Sequence, residues 1–598
     1  MKYVAVFASS ASLTAFRLPE LQAVAATLHI PVTVLDDAIP WVSGGADTSW
    51  FSVFESPASR AELQELAQRC MLLRGFYTLF ESTPTLEDLY ASLEQRHGAA
   101  PAAGPSPATV FVGEDEAAHL AGSTYSYQVE TVGKKYTAEA KRAVTEAVLQ
   151  RVPRAGDVEW RQPERLYYVF LHHAVESAPP GARAWVSDGP LLRVFHCMLC
   201  VESSRSALLA AYDLRTRPYI GTTSMPPEES LVMANLSRVS RGHLVYDPFC
   251  GTGSLLVAAA HCGAHTFGSD TDGRAMRAGT AKGQTSPQMQ QQRRLALAAH
   301  PAARVCALSE EERVLPSMLT NFRLYGLPPP DRARMNFSAW PHMWHTSTGS
   351  SGGIFDSIIT DPPYGLREPR KKVDPVSATT TAEGGSASAA APASTLSAYA
   401  TDEVVLDLVL FAAAHLVVGG HLTFWHPTTD NYTDEELPTH PSLRLICNIA
   451  QRVSLKIVRR LIVFLKVAPV PTPPPTRASC AARRSPDDLR ALMDATVLPD
   501  NADYTHYRAK RERKRAAAHL HRAAATATAA HVDANSSSSN NAGGGGGGNR
   551  RGRKHDRLDG QDEIVANRQR NIELRAAKQA ASHLENATHK TVDRSRPS

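Results

Sequence analysis

Between about residue 205 and residue 468, strand-like and helix-like runs take turns, and that alternation limits the fold more than any other feature of the chain. The order is strand in HLVYDPF, a glycine turn, helix in SLLVAAAHCG, strand in HTFGSD, a helix, strand in FDSIITDPP, helix over 402–418, and strand in HLTFWHP. Just before them, SMPPEESLVMANLSRV reads as a helix with Ser224 as N-cap and two prolines in the first turn. Strands separated by helices line up in parallel, with helices covering both faces of the sheet. Sheets of this α/β class place their ligand sites at the carboxyl ends of the strands.

One such strand end reads VYDPFCGTGS, residues 245–254. Gly251 and Gly253 let a ligand come close to the backbone, and the helix that starts at once offers free N–H groups to a carboxylate. No lysine follows the glycines, so this is not a P-loop, and a third glycine is missing from the dinucleotide pattern. Asp270 closes the next strand, where a carboxylate can take both hydroxyls of a ribose. A bare strand-to-helix turn, and an N-cap role for Asp270, are the plain structural alternatives; Asp272 is the better placed cap.

The other strand end reads IITDPPYGLRE, residues 358–368. Neither Pro362 nor Pro363 can donate to a ladder, so the strand stops rigidly at Asp361. An exocyclic amine on a nucleobase is a poor nucleophile because its lone pair is delocalised into the ring. A carboxylate and a proline carbonyl can each accept one of its N–H bonds and turn the lone pair outward. Tyr364 could then stack on the base drawn into the site. The alternative is a rigid turn with a buried tyrosine.

The remaining features set the frame. Eight cysteines, irregularly spaced, do not make a disulfide framework, and Cys197-Met-Leu-Cys200 is a lone pair inside an apolar run that reads as strand, with no metal expected. The most apolar window, 404–424, contains Asp407, His415 and a Gly-Gly break, so no membrane span is expected. Residues 281–304 and 376–398 are poor in large apolar side chains and read as insertions unable to order themselves. From His506 onward there are 19 Lys and Arg against 9 Asp and Glu, a net +10 in a chain of net +5, so the basic excess lies in a low-complexity tail. Arg367, Arg370, Lys371 and Lys372 follow the Asp-Pro-Pro-Tyr corner and are candidates for phosphate contact. Residues 59–81 read as helix, and the first 200 residues as α+β with no recognisable active site.

Taken together, these motifs resemble the Rossmann-fold, S-adenosylmethionine-dependent amino-methyltransferases. The segments YDLRTRPYIGTTSMPPEESLVMANLSRV, VYDPFCGTGSLLVAAAHCGAHTFGSD, NFRLYGL, FDSIITDPPYGLRE, HPSLRLICN and RRLIVFLK occur in the order found in one subfamily, the catalytic subunits of eukaryotic tRNA (guanine-10, N2) methyltransferase. The resemblance implies a ferredoxin-like plus THUMP RNA-binding region over 1–200, a Rossmann-like methyltransferase domain over 205–468 and a mostly disordered basic tail over 469–598. It implies S-adenosylmethionine held by Asp247, Pro248, Gly251, Thr252, Gly253 and Asp270, with Asn336 standing where the family usually has an Asp at the adenine. Asp361, Pro362, Pro363 and Tyr364 would hold the target guanine amine. The implied partners are tRNA and a small zinc-binding activator subunit, and the implied location is cytoplasmic. Two rivals stay open at this point. One is a DNA or RNA adenine-N6 or cytosine-N4 methyltransferase, since the same corner suits those amines; the other is an RNA-binding scaffold without catalysis.

Overall fold

The computed structural model describes residues 1–8, 12–35, 50–97, 123–152, 157–174, 189–221, 223–273, 287–344, 353–364, 371–373, 396–453 and 457–486. They build two seven-stranded sheets, one from each half of the chain.

The first sheet uses β1 (Lys2–Phe7), β2 (Thr33–Val34), β3 (Phe51–Glu55), β4 (Leu73–Thr83), β5 (Tyr125–Val132), β6 (Arg165–His173) and β7 (Leu191–Glu202), in the order β2-β3-β1-β4-β7-β6-β5. Its pairs are antiparallel except β5 with β6. The helix expected over 59–81 is only Arg60–Arg69, opened by a Ser59–Glu62 capping box, and the chain then turns into β4. The aromatic-rich LRGFYTLFEST prefers a pleated, half-buried surface, and its partners β1 and β7 supply one. Cys197 and Cys200 sit on β7 and pack into different apolar clusters, so the two thiols face opposite sides of the sheet. Everything from 487 onward lies outside the described residues.

The second sheet uses β8 (Leu244–Asp247), β9 (His265–Asp270), β10 (Asp331–Arg334), β11 (Phe355–Thr360), β14 (Leu416–Thr428), β15 (Leu443–Arg452) and β16 (Val458–Lys466). Its order is β10-β9-β8-β11-β14-β16-β15. The strands from β10 to β14 are parallel, whereas β16 and β15 add antiparallel at one edge. A short antiparallel pair, β12 (Lys371–Val373) with β13 (Leu396–Ala398), stands at the two ends of the 376–398 insertion, the bulk of which is outside the described residues. The helix read over 402–418 ends at His415, because β-branched Val417 and Val418 extend β14.

Residues 287–304 depart from expectation. Pro287–Ala298 and Ala302–Cys306 are helical. The composition lacks large apolar groups but is rich in strong helix formers, and tertiary bonds anchor it. His300 Nε2 lies 3.0 Å from the Thr216 carbonyl, and Arg304 donates to the Leu324 carbonyl at 2.9 Å.

The halves share one apolar cluster. Leu13, Phe16, Met71 and Leu72 pack with Trp425, Leu461 and Val463 of the second sheet.

Candidate active site

In the second sheet the chain runs from β8 outward to β9 and β10, then returns to place β11 on the other side of β8. That reversal makes the gap between β8 and β11 the topological switch point, where neighbouring connections diverge and leave a crevice. The two singled-out motifs follow these two strands. Ser357 is level with Val245 and Ile358 with Tyr246, so Asp247 and Thr360 leave the sheet side by side. They are bonded directly: the Thr360 hydroxyl donates to Asp247 Oδ1 at 2.7 Å.

Asp247 is 2% exposed, and its carboxylate also accepts from the Phe249 N–H at 3.0 Å. Burial pushes its pKa up to about 7, the Thr360 and Phe249 bonds hold it back, and the charges of Asp270 and Asp361 add to the rise. Three carboxylates thus feel one another at the end of the sheet. Asp247 is engaged below the turn, as a brace between the two motifs.

The glycine turn itself is shaped by two left-handed residues, Gly251 at φ +49° and Gly253 at φ +82°. A Cβ on Gly251 would meet nothing within 4 Å, so open room faces the turn, whereas one on Gly253 would stand 2.9 Å from Met318. Gly253 is also the N-cap of helix Ser254–His261, whose first N–H groups therefore point out of the turn. Asp270 Oδ2 accepts from the Gly251 N–H at 2.9 Å and Oδ1 from the Asp272 N–H at 2.8 Å. Its carboxyl is raised above the usual range by burial, partly offset by these donors. The Thr271 backbone adds a further donor, and a carboxylate has about four acceptor sites, so capacity remains for a ligand hydroxyl. The Ser269 hydroxyl donates to the Pro248 carbonyl at 3.3 Å and ties β9 to the turn.

Ser224 does not cap its helix; the N-cap position of Pro227–Leu236 is Pro226. The Ser224 hydroxyl instead lies 2.7 Å from the Thr252 hydroxyl and accepts from the Gly221 N–H at 2.8 Å. Arg217, 2% exposed, donates to the Ser254 hydroxyl at 2.9 Å. Arg217 and Ser224 thus tie the segment before this helix to the glycine turn, a contact that helix-cap signals alone do not reveal.

On the β11 side, Pro362 is buried and the Tyr364 hydroxyl donates to Asp361 Oδ1 at 2.6 Å. The Tyr364 ring is half-buried against the apolar cluster that contains Ile359 and Trp425. Its phenol is pushed well above the ordinary value by burial and then by the Asp361 charge, so it stays protonated and keeps donating. The ring expected to stack on a base here also orients the carboxylate beside it.

Asn336 follows β10 and caps the short turn Phe337–Ala339; its Oδ1 accepts from the Ser338 N–H at 3.2 Å and hydroxyl at 3.0 Å. Both lone pairs of that oxygen have partners, so it would have to release the cap before accepting an adenine amine. Lys372, partly exposed, is bonded to Glu403 at 2.7 Å. Arg367, Arg370 and the Lys371 side chain lie outside the described residues.

Comparison with known proteins then gives the following. A model for the family described as UPF0020: RMKL-like, methyltransferase domain, matches residues 215–374. The tRNA (guanine(10)-N(2))-methyltransferase TRMT11 of Rattus norvegicus is 28% identical over 506 residues, covering 83% of this chain and 91% of that protein. The protein of the same name from Gallus gallus is 30% identical over 353 residues, covering 58% of this chain and 67% of the relative. Among solved structures, TrmN from Thermus thermophilus covers 78% of this chain and 100% of its own, at 16% identity and a TM-score of 0.34, too loose a likeness to build on.

Proposed function

The chain belongs to the tRNA (guanine(10)-N(2))-methyltransferase family, and from that premise we propose that it transfers a methyl group from S-adenosylmethionine to the exocyclic N2 of a guanosine in tRNA, with position 10 the expected target. The observation that carries the reading is the Thr360–Asp247 bond at the switch point, which joins the glycine turn to the Asp-Pro-Pro-Tyr corner. Two sites that must exchange a group across a few ångströms have to lie side by side, and this bond supports that placement.

The residues fit the cofactor. Burial is the main cause that raises the Asp247 pKa to about 7, and the Asp270 and Asp361 charges add to it, so three carboxyl groups gather at a site that suits a ligand bringing positive charge. Open room over Gly251 admits the ligand to the backbone. Asp247, Pro248, Gly251, Thr252 and Gly253 would hold its amino-acid end, and Asp270 its ribose. Asn336 would lie toward its adenine. When bound, S-adenosylmethionine supplies a methyl on a sulfonium, an electrophile that needs no metal.

The chain's own residues act on the guanine. Asp361 accepts one N–H of the amine and the Pro362 carbonyl the other, which turns the nitrogen lone pair toward the glycine turn. The flanking Pro363 keeps both acceptors placed before the base arrives, so no reorganisation is needed as the bond forms. As the nitrogen gains its fourth bond, the bond from sulfur to the methyl would break and its electron pair would stay with S-adenosylhomocysteine, the leaving group; the nitrogen becomes cationic, and Asp361 takes its surplus proton.

Residues 1–200 are proposed to grip the tRNA as a ferredoxin-like plus THUMP-like region, and a small zinc-binding activator subunit is the proposed protein partner. The proposed location is cytoplasmic; among the described residues no helix is long and apolar enough to cross a membrane.

The test is methyl transfer by the purified full chain, with the activator subunit added, to unmodified tRNA, to tRNA in which guanosine 10 is replaced, and to duplex DNA, read by nucleoside mass spectrometry. N2-methylguanosine in the first alone is expected. Methyladenine or methylcytosine in any of them overturns the reading, as does no transfer.

A further inference from the structure

The Asp-Pro-Pro-Tyr corner is rigid in its backbone, but the carboxylate plane of Asp361 is not fixed by backbone stiffness. The last torsion of an aspartate is broad and roughly two-fold. Something must choose which oxygen faces the amine, and the structure supplies a chain of contacts that does so.

Tyr364 donates its O–H to Asp361 Oδ1 at 2.6 Å. A phenol oxygen can accept as well as donate, and the guanidinium of Arg459 on β16 stands close enough to this one to act on it as donor and charge. Arg459 is itself held by side chains from three other elements. Its Nη2 lies 2.5 Å from Glu229 Oε2 on helix Pro227–Leu236, and its Nε donates to Gln451 Oε1 on β15 at 2.6 Å. Its Cζ stands 4.0 Å from the ring centroid of Trp425 on β14, and Trp425 is 1% exposed. Gln451 Nε2 closes the circle on Glu229 Oε1 at 3.4 Å. Burial alone would lower the Arg459 pKa, but Glu229, Tyr364 and Asp361 together hold it up, so the guanidinium stays charged.

We propose that Arg459 is a positioning residue: clamped by Glu229, Gln451 and the face of Trp425, it fixes the Tyr364 hydroxyl and through it the Asp361 carboxylate that receives the guanine amine. The inference rests on the functional reading above and adds to it a residue about a hundred positions past the motif. A planar, stacked, forked cation is needed for this task. Lysine would keep the charge but lose both the fork and the stack.

The test uses the full chain with its activator subunit and tRNA, comparing wild type with Arg459→Lys, Arg459→Met and Tyr364→Phe. Each variant is expected to lose roughly 10- to 100-fold in kcat, the range for a reacting group displaced by about an ångström, with KM for tRNA and Kd for S-adenosylmethionine within about 2-fold of wild type. Adding Arg459→Met to Tyr364→Phe is expected to cost less than about 3-fold more, because both act through one carboxylate. If Arg459→Met unfolds the chain because Glu229 loses its counter-ion, Arg459→Met with Glu229→Gln removes that charge and carries the same expectation. Unchanged kcat in an active, folded variant overturns the proposal. So does a loss that appears in KM for tRNA, which would make Arg459 a phosphate contact, or in cofactor Kd, which would place it at the other site. A multiplicative double variant overturns it as well. Failure of the wild type to methylate a guanine amine would instead sink the functional reading on which it rests.

Discussion

Replacing Thr360 with Val removes one hydroxyl and keeps the shape, so it isolates the bond that joins the two motifs. In the native chain that hydroxyl donates at 2.7 Å to Asp247, which also accepts from the Phe249 N–H at 3.0 Å. A hydrogen bond to an ionised group contributes about 1.5–3 kcal/mol, and one to a neutral group about 0.5–1.5 kcal/mol. The Asp247 pKa of about 7 therefore sets when each figure applies. Because this folded value lies above the ordinary 3.8, the stability Asp247 contributes is complete below about pH 4 and is lost as pH rises through about 7. Taking away a donor that favours the charged form raises the folded value further and deepens that loss. Thr360→Val should thus cost about 1 kcal/mol at pH 5.5 and about 2 kcal/mol at pH 8.5, a difference equal to roughly one further pKa unit. Denaturant unfolding followed by tryptophan fluorescence at the two pH values measures it. Equal losses at both, or a larger loss in acid, would show that Asp247 is not ionised against this hydroxyl and that the motifs are not coupled as described.

The other predictions concern the two sides of the crevice. Asp361→Asn should lower kcat by roughly 100-fold or more while leaving cofactor Kd within about 3-fold, and Asp270→Asn should weaken cofactor binding roughly 10-fold; calorimetry and initial rates that gave the opposite split would show the sites exchanged. Gly253→Ala should destabilise by about 2–4 kcal/mol, from a left-handed φ of +82° and a Cβ that would stand 2.9 Å from Met318; a denaturation midpoint equal to wild type would refute it. Lys372→Ala should change KM for tRNA by less than about 2-fold, since the ammonium is engaged with Glu403; a large rise would restore it as a phosphate contact.

How much of this was legible beforehand depends on how local each signal is. The alternation of strands and helices was enough for the parallel sheet, and the glycines and prolines marked both strand ends because their backbone demands are written in residue type. Thr360 stood in plain view beside the corner, yet its role needs the register that brings it to Asp247, which no single segment contains. Ser224 reads as the cap of its nearest helix because capping is a local rule; the Thr252 hydroxyl, 28 residues away in sequence, takes it instead. The helix over 59–81 failed for a related reason, since the apolar spacing of LLRGFYTLF fits either period and only β1 and β7 decide it. Residues 287–304 were misjudged by composition, which counts large apolar groups and misses helix propensity and anchoring to Thr216 and Leu324.

Arg459 shows the most distant kind of signal, and it leads to the relation between the two halves. The Trp425 ring that carries its guanidinium also lies 5.9 Å from the ring of Phe16, a residue of the first half. Nearby, Glu20 is 1% exposed, and its carboxylate accepts from the Met71 and Leu72 N–H groups at 2.9 and 2.8 Å and from Asn235 Nδ2 at 2.7 Å. Asn235 belongs to helix Pro227–Leu236, the same helix that sends Glu229 to Arg459. Swinging the halves apart would expose the shared apolar cluster and strip Glu20 of a donor. A buried carboxyl that loses a partner costs on the order of 1–3 kcal/mol before any apolar area is counted. The first half is therefore seated on the helix and the strand that hold the clamp, not tethered beside them. On the proposed reading, a tRNA gripped by residues 1–200 meets Asp361 at a distance set by this packing.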